Sequence, residues 1–192
     1  LLMGHTRLIT DGEVDNQPVT RDDVLIIHNG IIVDGDEYWK QSSLERLYEI
    51  DTEVILALTL DHLGESAPLE NLYQRIATSC EGSFSCAILM PRLGKMILLS
   101  NTGSLYLGTK SDDLYFASEQ TFLESLDVSN VKQLIGSYIV DIPQSNEKVE
   151  VTEHKVKREK LIPSLSNALT QSNKLLFPNP SLKRCSKCIL PE

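Results

Sequence analysis

The chain has 192 residues, 41% of them hydrophobic and 23% charged, with a formal net charge of -9 at pH 7. That balance suits one sizeable domain with or without a tail, and runs such as Val24–Ile27 and Met96–Leu99 are far too short to span a bilayer. The charge is uneven: residues 151–192 carry eight basic and three acidic side chains, leaving 10 basic and 24 acidic ones in residues 1–150. An acidic body lacks the concentrated positive surface that nucleic-acid binding needs, and the basic tail reads as a solvated linker.

In chain order, Leu1–Thr6 reads as a strand. It lacks the basic flank and length of a secretory signal. An apolar run going straight into Gly4 suggests a strand interrupted at Leu1, so a truncated start is expected. A polar loop follows from Arg7 to Asp23, with Asp11-Gly12 and Gln17-Pro18 as turn signals. Val24–Ile27 reads as a buried strand ending at His28-Asn29-Gly30, with Ile31–Val33 resuming after a turn. A short amphipathic helix is expected within Asp36–Leu47. Asp51-Thr52-Glu53 opens a clear helix whose apolar stripe is Val54, Ile55, Leu58 and Leu63, with Gly64 at its C′ position. Pro68 suits the first turn of the next helix, which runs towards Cys80.

From Gly82 the period becomes extended. Phe84–Met90, Lys95–Ser100, Leu105–Gly108 and Leu114–Ala117 read as short strands, and Glu119–Leu126 as a helix. Lys132–Ile135, Ser137–Ile142 and Glu147–His154 complete the strands. Strand clusters flanking paired helices fit a layered α+β domain. After Lys155 the pattern dissolves, and Phe177-Pro178-Asn179-Pro180-Ser181 is an irregular linker.

Cys80 and Cys86 flank a turn-to-strand segment and read as buried, inert thiols. Cys185 and Cys188 form a single C-x-x-C, which in a chain without secretory features points to a reducing, cytoplasmic setting. Two cysteines at that spacing are half a tetrahedral zinc site, whose other ligands would lie beyond Glu192; free thiols on an exposed linker are the alternative.

Some residues suggest chemistry by type. Arg7, after a hydrophobic segment, can grip an α-carboxylate through two parallel charge-assisted hydrogen bonds, with the Thr10 hydroxyl as a further donor. Asn29-Gly30 offers a side-chain amide and an exposed backbone N–H, the two donors of an oxyanion hole. Asp51 can pair with an α-ammonium. Each has a plain structural reading as well. A lone arginine at a strand end is usually a surface residue. Asn-Gly between apolar strands is usually a type I′ hairpin turn. Asp51 is most simply an N-cap, with Glu53 supporting the helix dipole. His5 and His28 read as hydrogen-bonded structural residues rather than bases.

Taken in order, Gly4-His5-Thr6-Arg7-Leu8-Ile9-Thr10-Asp11-Gly12, Gln17-Pro18, His28-Asn29-Gly30-Ile31-Ile32 and Asp51-Thr52-Glu53-Val54-Ile55 resemble the class II glutamine amidotransferase domain. The likeness extends to about Ile142 through Gly82-Ser83-Phe84, Asn101–Leu105 and Phe116–Glu119. It implies a four-layer αββα N-terminal-nucleophile hydrolase sandwich over residues 1–154, with N-terminal strands missing. It gives Asp51 the glutamine ammonium, matches Asn29 and Gly30 to the oxyanion hole, and makes L-glutamine the substrate. The glutaminase domain needs no cofactor.

Leu8 and Asp11 depart from the aromatic residue and histidine of some relatives. The family nucleophile is a mature N-terminal cysteine whose own α-amine is the base. Leu1 stands first here, so about 60 residues carrying the nucleophile are expected upstream in the intact protein.

Residues 155–192 are expected to be a linker and the start of a synthetase domain. Arg184–Glu192 resembles the lead-in to PP-loop ATP pyrophosphatase domains of sugar amidotransferase-like and asparagine-synthase-like proteins. That implies ATP with magnesium in the intact protein, while zinc at Cys185 and Cys188 rests on the C-x-x-C spacing, with free thiols as the alternative. The expected function is release of ammonia from glutamine for a synthetase domain, on the same chain or on a partner subunit. A homo-oligomer is compatible, and neither nucleic acid nor membrane is an expected partner. The rivals are a glutamine-binding scaffold without a nucleophile, and an N-terminal-nucleophile hydrolase acting on another amide.

Overall fold

The computed structural model describes residues 1–6, 15–142 and 149–154, all within one compact unit, Leu1–Val156. In chain order the elements are β1 (Val19–Arg21), β2 (Val24–Ile32), α1 (Gly35–Trp39), α2 (Thr52–Gly64), α3 (Leu72–Ser79), β3 (Gly82–Met90), β4 (Lys95–Ser100), β5 (Tyr106–Lys110), β6 (Asp113–Ala117), α4 (Gln120–Ser125), β7 (Ser129–Gln133), β8 (Gly136–Asp141) and β9 (Glu150–His154). Two antiparallel sheets result, one ordered β1-β2-β3-β4-β8-β9 and the other β6-β5-β7.

The larger sheet is buried on both faces, which is why β3 and β4 read as nearly unbroken apolar runs. One face carries Ile26, Phe84, Ile88, Ile97 and Leu99 against Ile55 and Leu56 of α2 and Leu72 and Ile76 of α3. The Tyr73 and Phe84 rings meet there with centroids 5.6 Å apart. The other face packs Ile27, Ala87, Leu98 and Tyr138 against Leu105, Leu107 and Leu134 of the smaller sheet and its surroundings. Leu123, buried on α4, helps close the smaller sheet, which α4 contacts along β5, β6 and β7. The layers are therefore helix, sheet, sheet, helix, in agreement with the αββα expectation. Each fully buried isoleucine such as Ile26, Ile88 or Ile97 contributes about 1.5–3 kcal/mol through removal from water.

The first eight residues of α2, Thr52 to Thr59, are all buried. Among them the Glu53 carboxylate accepts the backbone N–H groups of Leu47 (2.7 Å) and Tyr48 (2.9 Å). It is a clamp on the preceding loop rather than a helper of the helix dipole, and the two charge-assisted bonds satisfy a carboxylate that is only 2% exposed.

Several expectations are corrected. Leu1–Thr6 has no regular structure; an apolar run is a strand only when a ladder partner takes its backbone groups. Asn29-Gly30 is not a turn, because β2 runs unbroken through it, with Asn29 opposite Ser85 and Gly30 opposite Phe84. The hairpin lies earlier, at Asp22-Asp23, whose φ values of 49° and 59° fit the type I′ turn between β1 and β2. β1, only three residues long, falls inside the segment read as loop. Gly64 ends α2 as a helical residue and Glu65, the residue after it, stays right-handed. Among the described residues, no helix is long and apolar enough to cross a membrane.

Candidate active site at the open edge of β2

The outer edge of β2 changes partner halfway along. Val24, Leu25 and Ile26 pair with Arg21, Thr20 and Val19 of β1. The next positions of β1 would be Pro18, opposite Ile27, and then Gln17, opposite His28 in the same register. Backbone pairing stops, and the Gln17 side chain replaces it. Its Nε2 donates to the His28 carbonyl (3.0 Å), and its Oε1 accepts the His28 N–H (2.5 Å). A hydrogen-bonded antiparallel pair exchanges these same two bonds between backbones. Further along, the Ile32 N–H donates to Asp51 Oδ2 (2.8 Å). Backbone groups of alternate strand residues share an edge, so the Gly30 N–H lies on this edge, between the Gln17 amide and the Asp51 carboxylate.

Gly30 must be glycine for backbone reasons. Its φ is +151°, and a Cβ there would stand 2.0 Å from the Ser83 carbonyl oxygen and 2.6 Å from His28 Nε2. The His28 ring folds over that space. Only 3% exposed, it sits with Nε2 3.2 Å from the Ser83 carbonyl oxygen, to which it must donate, since a carbonyl only accepts. Its Nδ1 lies 3.4 Å from Thr52 Oγ1 and 3.8 Å from Asp51 Oδ1. His28 is thus a buried, hydrogen-bonded structural residue.

Asp51 stands at the start of α2 but does not cap it. Its own backbone is right-handed helical and its side chain makes no cap hydrogen bond. The carboxylate turns to β2 instead. Burial pushes its carboxyl up, but the adjacent His28 ring and the Ile32 N–H outweigh burial and hold it below the usual carboxylate range. An ionised carboxylate whose side chain remains 31% exposed can receive a cation.

On the inter-sheet side, Asn29 opens onto a cavity of about 510 Å³ walled by Ser85, Ser104, Leu105, Phe116 and Phe122 among others. That size is within the range of small-ligand sites. The Ser85 hydroxyl is held by Ser100 (2.8 Å) and Thr102 (3.2 Å). Asp51 is not part of this wall. The structure therefore brings Asn29, Gly30 and Asp51 to one end of β2, with Asn29 facing the cavity and Asp51 on the helix side. Arg7, Thr10, Cys185 and Cys188 lie outside the described residues. Sequence reasoning took Gln17-Pro18 as a turn signal and as part of the family resemblance but gave Gln17 no place in the site, and it passed over Ser85. A glutamine one register step from the end of a hairpin strand, with a proline between, is the signal that could have found the first.

The described thiols are inert. Burial pushes Cys80 up to about 12, and its Sγ donates to the Ile76 carbonyl; burial pushes Cys86, which is 1% exposed, higher still. Neither is a nucleophile at neutral pH. Among the described residues no His, Cys, Asp and Glu side chains group so as to hold a metal ion.

An N-terminal-nucleophile amidotransferase fold is what comparison with known proteins returns. The family model described as a glutamine amidotransferase domain matches residues 5–125. The chain belongs to that family, in its class II form. It is 31% identical over 129 residues to glutamine–fructose-6-phosphate aminotransferase (isomerizing) of Aliivibrio fischeri, covering 63% of this chain and 21% of that protein. The protein of the same name from Halobacterium salinarum is 29% identical over 130 residues, 64% of this chain and 22% of its own length. The chain thus spans about a fifth of these relatives. Among solved structures, glutamine phosphoribosylpyrophosphate amidotransferase from B. subtilis, in complex with ADP and GMP, superposes with a TM-score of 0.58 at 18% identity, over 80% of this chain and 34% of that one. A structure described as the allosteric regulatory enzyme of purine biosynthesis gives 0.52 at 18% identity, over 73% and 31%.

Proposed function

We propose that this domain hydrolyses L-glutamine to glutamate and ammonia, and that the ammonia serves a synthetase domain on the same chain or a partner. Glutamine presents an ammonium, a carboxylate and a side-chain amide, and a selective site needs a complement to each. The ionised Asp51 takes the ammonium, Arg7 takes the carboxylate with Thr10 as a second donor, and the amide carbonyl is directed at Asn29 and Gly30. When a thiolate adds to the amide carbon, the carbonyl oxygen becomes an oxyanion. The Asn29 side-chain N–H and the Gly30 backbone N–H stabilise it, a donor of this kind typically contributing about 10²–10³ in rate. The attacking thiol is none of the described cysteines. The observation that carries this reading is the Gly30 N–H on an edge of β2 that side chains, not a strand, complete.

The acceptor of the ammonia is proposed more coarsely. The Cys185-x-x-Cys188 segment favours an ATP-dependent synthetase that activates a carboxylate or carbonyl-type acceptor, with zinc held by those two cysteines and two further ligands. The test of the glutaminase reading is release of glutamate by the full-length protein from L-glutamine, D-glutamine and a peptide-bound glutamine. Selective turnover of L-glutamine is expected. Saturable binding of L-glutamine without turnover would make the domain a glutamine-binding scaffold. Equal turnover of all three would make it a hydrolase of another amide.

A further inference from the structure

We propose that Gln17 is a positioning residue for the glutaminase reaction, acting through His28 on the oxyanion-stabilising N–H of Gly30. The inference rests on the glutaminase reading above and goes beyond it, since Gln17 touches neither the reacting amide nor the nucleophile.

Strand pairing holds Leu25 and Ile26 on both edges, so their backbone is doubly constrained. From Ile27 onward the outer edge has no described strand beside it. An unpaired edge leaves peptide planes free to rock, and an oxyanion donor must be aimed before the charge develops to be worth its full contribution. Gln17 supplies the missing constraint at the position two residues before Gly30. A side-chain amide has the same donor and acceptor as a peptide unit, and here both are used on one residue: the acceptor on the His28 N–H and the donor on the His28 carbonyl. The inner edge is held over the same span by β3, the Ile31 N–H reaching Ser83 Oγ at 3.3 Å. His28 is therefore gripped from both edges, and its ring, seated against the Ser83 carbonyl, lies over the space that the absent Gly30 side chain leaves.

A strand in place of Gln17 would hold His28 equally well but would continue along the edge and take the Gly30 N–H in its ladder. A single side chain stops after one residue. It stiffens the edge up to His28 and leaves the next N–H on that edge for substrate.

The test is the full-length protein with Gln17→Met, which keeps the length of the side chain and removes both hydrogen bonds. Steady-state hydrolysis of L-glutamine is measured per active site, counted by titration with a diazoketone analogue of glutamine that alkylates the nucleophile. The expected result is a kcat lowered about 10- to 100-fold, with KM within about threefold of wild type. A normal kcat per active site, with only the yield of folded protein reduced, would reduce Gln17 to a structural role and overturn the proposal. A raised KM at unchanged kcat would overturn it too, by making Gln17 a substrate contact. If Gln17→Met does not fold, Gln17→Glu is measured in the same way. It keeps the acceptor for the His28 N–H and turns a carboxylate oxygen towards the His28 carbonyl; the same loss of kcat supports the proposal and a wild-type kcat overturns it. A wild-type protein that releases no glutamate removes the glutaminase reading, and this inference with it. An active wild type with unaffected variants removes the Gln17 assignment alone.

Discussion

The two halves of β2 are held in different ways: Val24 to Ile27 is wholly apolar, whereas His28 to Ile32 places His, Asn and Gly before its two isoleucines. Leu25 and Ile26 have a strand on each side, and Val24 and Ile26 place their side chains in the core below α2. From His28 to Ile32 one edge is completed by the side chains of Gln17 and Asp51, and Asn29, Gly30 and Ile31 are exposed. The lesson is that a sheet can place function at its own rim by ending a neighbour early. The inner half carries stability, and the outer half carries N–H groups that a ladder would otherwise consume.

The largest separation of the halves should come from Ile26→Ala, which empties a fully buried site. Unfolding free energy should fall by about 2–5 kcal/mol in urea titrations, while kcat per active site stays near wild type. A large loss of kcat in folded Ile26→Ala would merge the two halves. Gly30→Ala should sit between the regimes. The Cβ meets backbone at 2.0 Å and the φ is hostile, so a stability loss of about 1–3 kcal/mol should accompany loss of glutaminase activity. Retention of both would mean that the edge is more plastic than drawn.

Asp51→Asn is expected to raise the KM for glutamine by the equivalent of about 1.5–3 kcal/mol, with a smaller effect on kcat. It also has a pH signature. The folded carboxyl titrates below its ordinary value, with burial opposed and outweighed by His28 and the Ile32 N–H. Its stabilisation is therefore complete above the unfolded pKa of about 4 and is lost as pH falls through the lower folded value. The Asp51→Asn protein should show a shallower fall of stability below about pH 4 than wild type; identical acid limbs would contradict the contact. The smallest effect belongs to the inner half. Asp23→Gly relieves a positive φ in the hairpin turn and should raise stability by about 0.5–1 kcal/mol without touching kinetics, its exposed ion pair with Arg92 contributing little.

Much of the fold is legible in local pattern. β4 and β3 show themselves as apolar runs bounded by Gly, Pro and Asn, and α2 by its apolar face after Asp51-Thr52-Glu53. What is not legible is what depends on a distant partner. Asn29-Gly30 carries the strongest short hairpin signal, yet an Asp-Asp pair seven residues earlier makes the hairpin, because the strand ladder with β3 holds Gly30 extended. Leu1–Thr6 has strand composition, yet among the described residues it joins neither sheet. Asp51 has a capping residue's type and position, but its helical backbone aims the carboxylate at β2. Asn29, Gly30 and Asp51 are nameable from type, spacing and resemblance. Gln17 is not, since its role arises from a register that only the folded hairpin defines.

On the proposed reading, the outer half of β2 stabilises the oxyanion of glutamine hydrolysis. Asn29→Ala in the full-length protein tests this most directly, with kcat, KM and unfolding free energy measured side by side. A kcat lowered about 10²–10³-fold is expected, with KM and stability near wild type, Asn29 being exposed and facing the cavity. A wild-type kcat in a folded Asn29→Ala protein would contradict it.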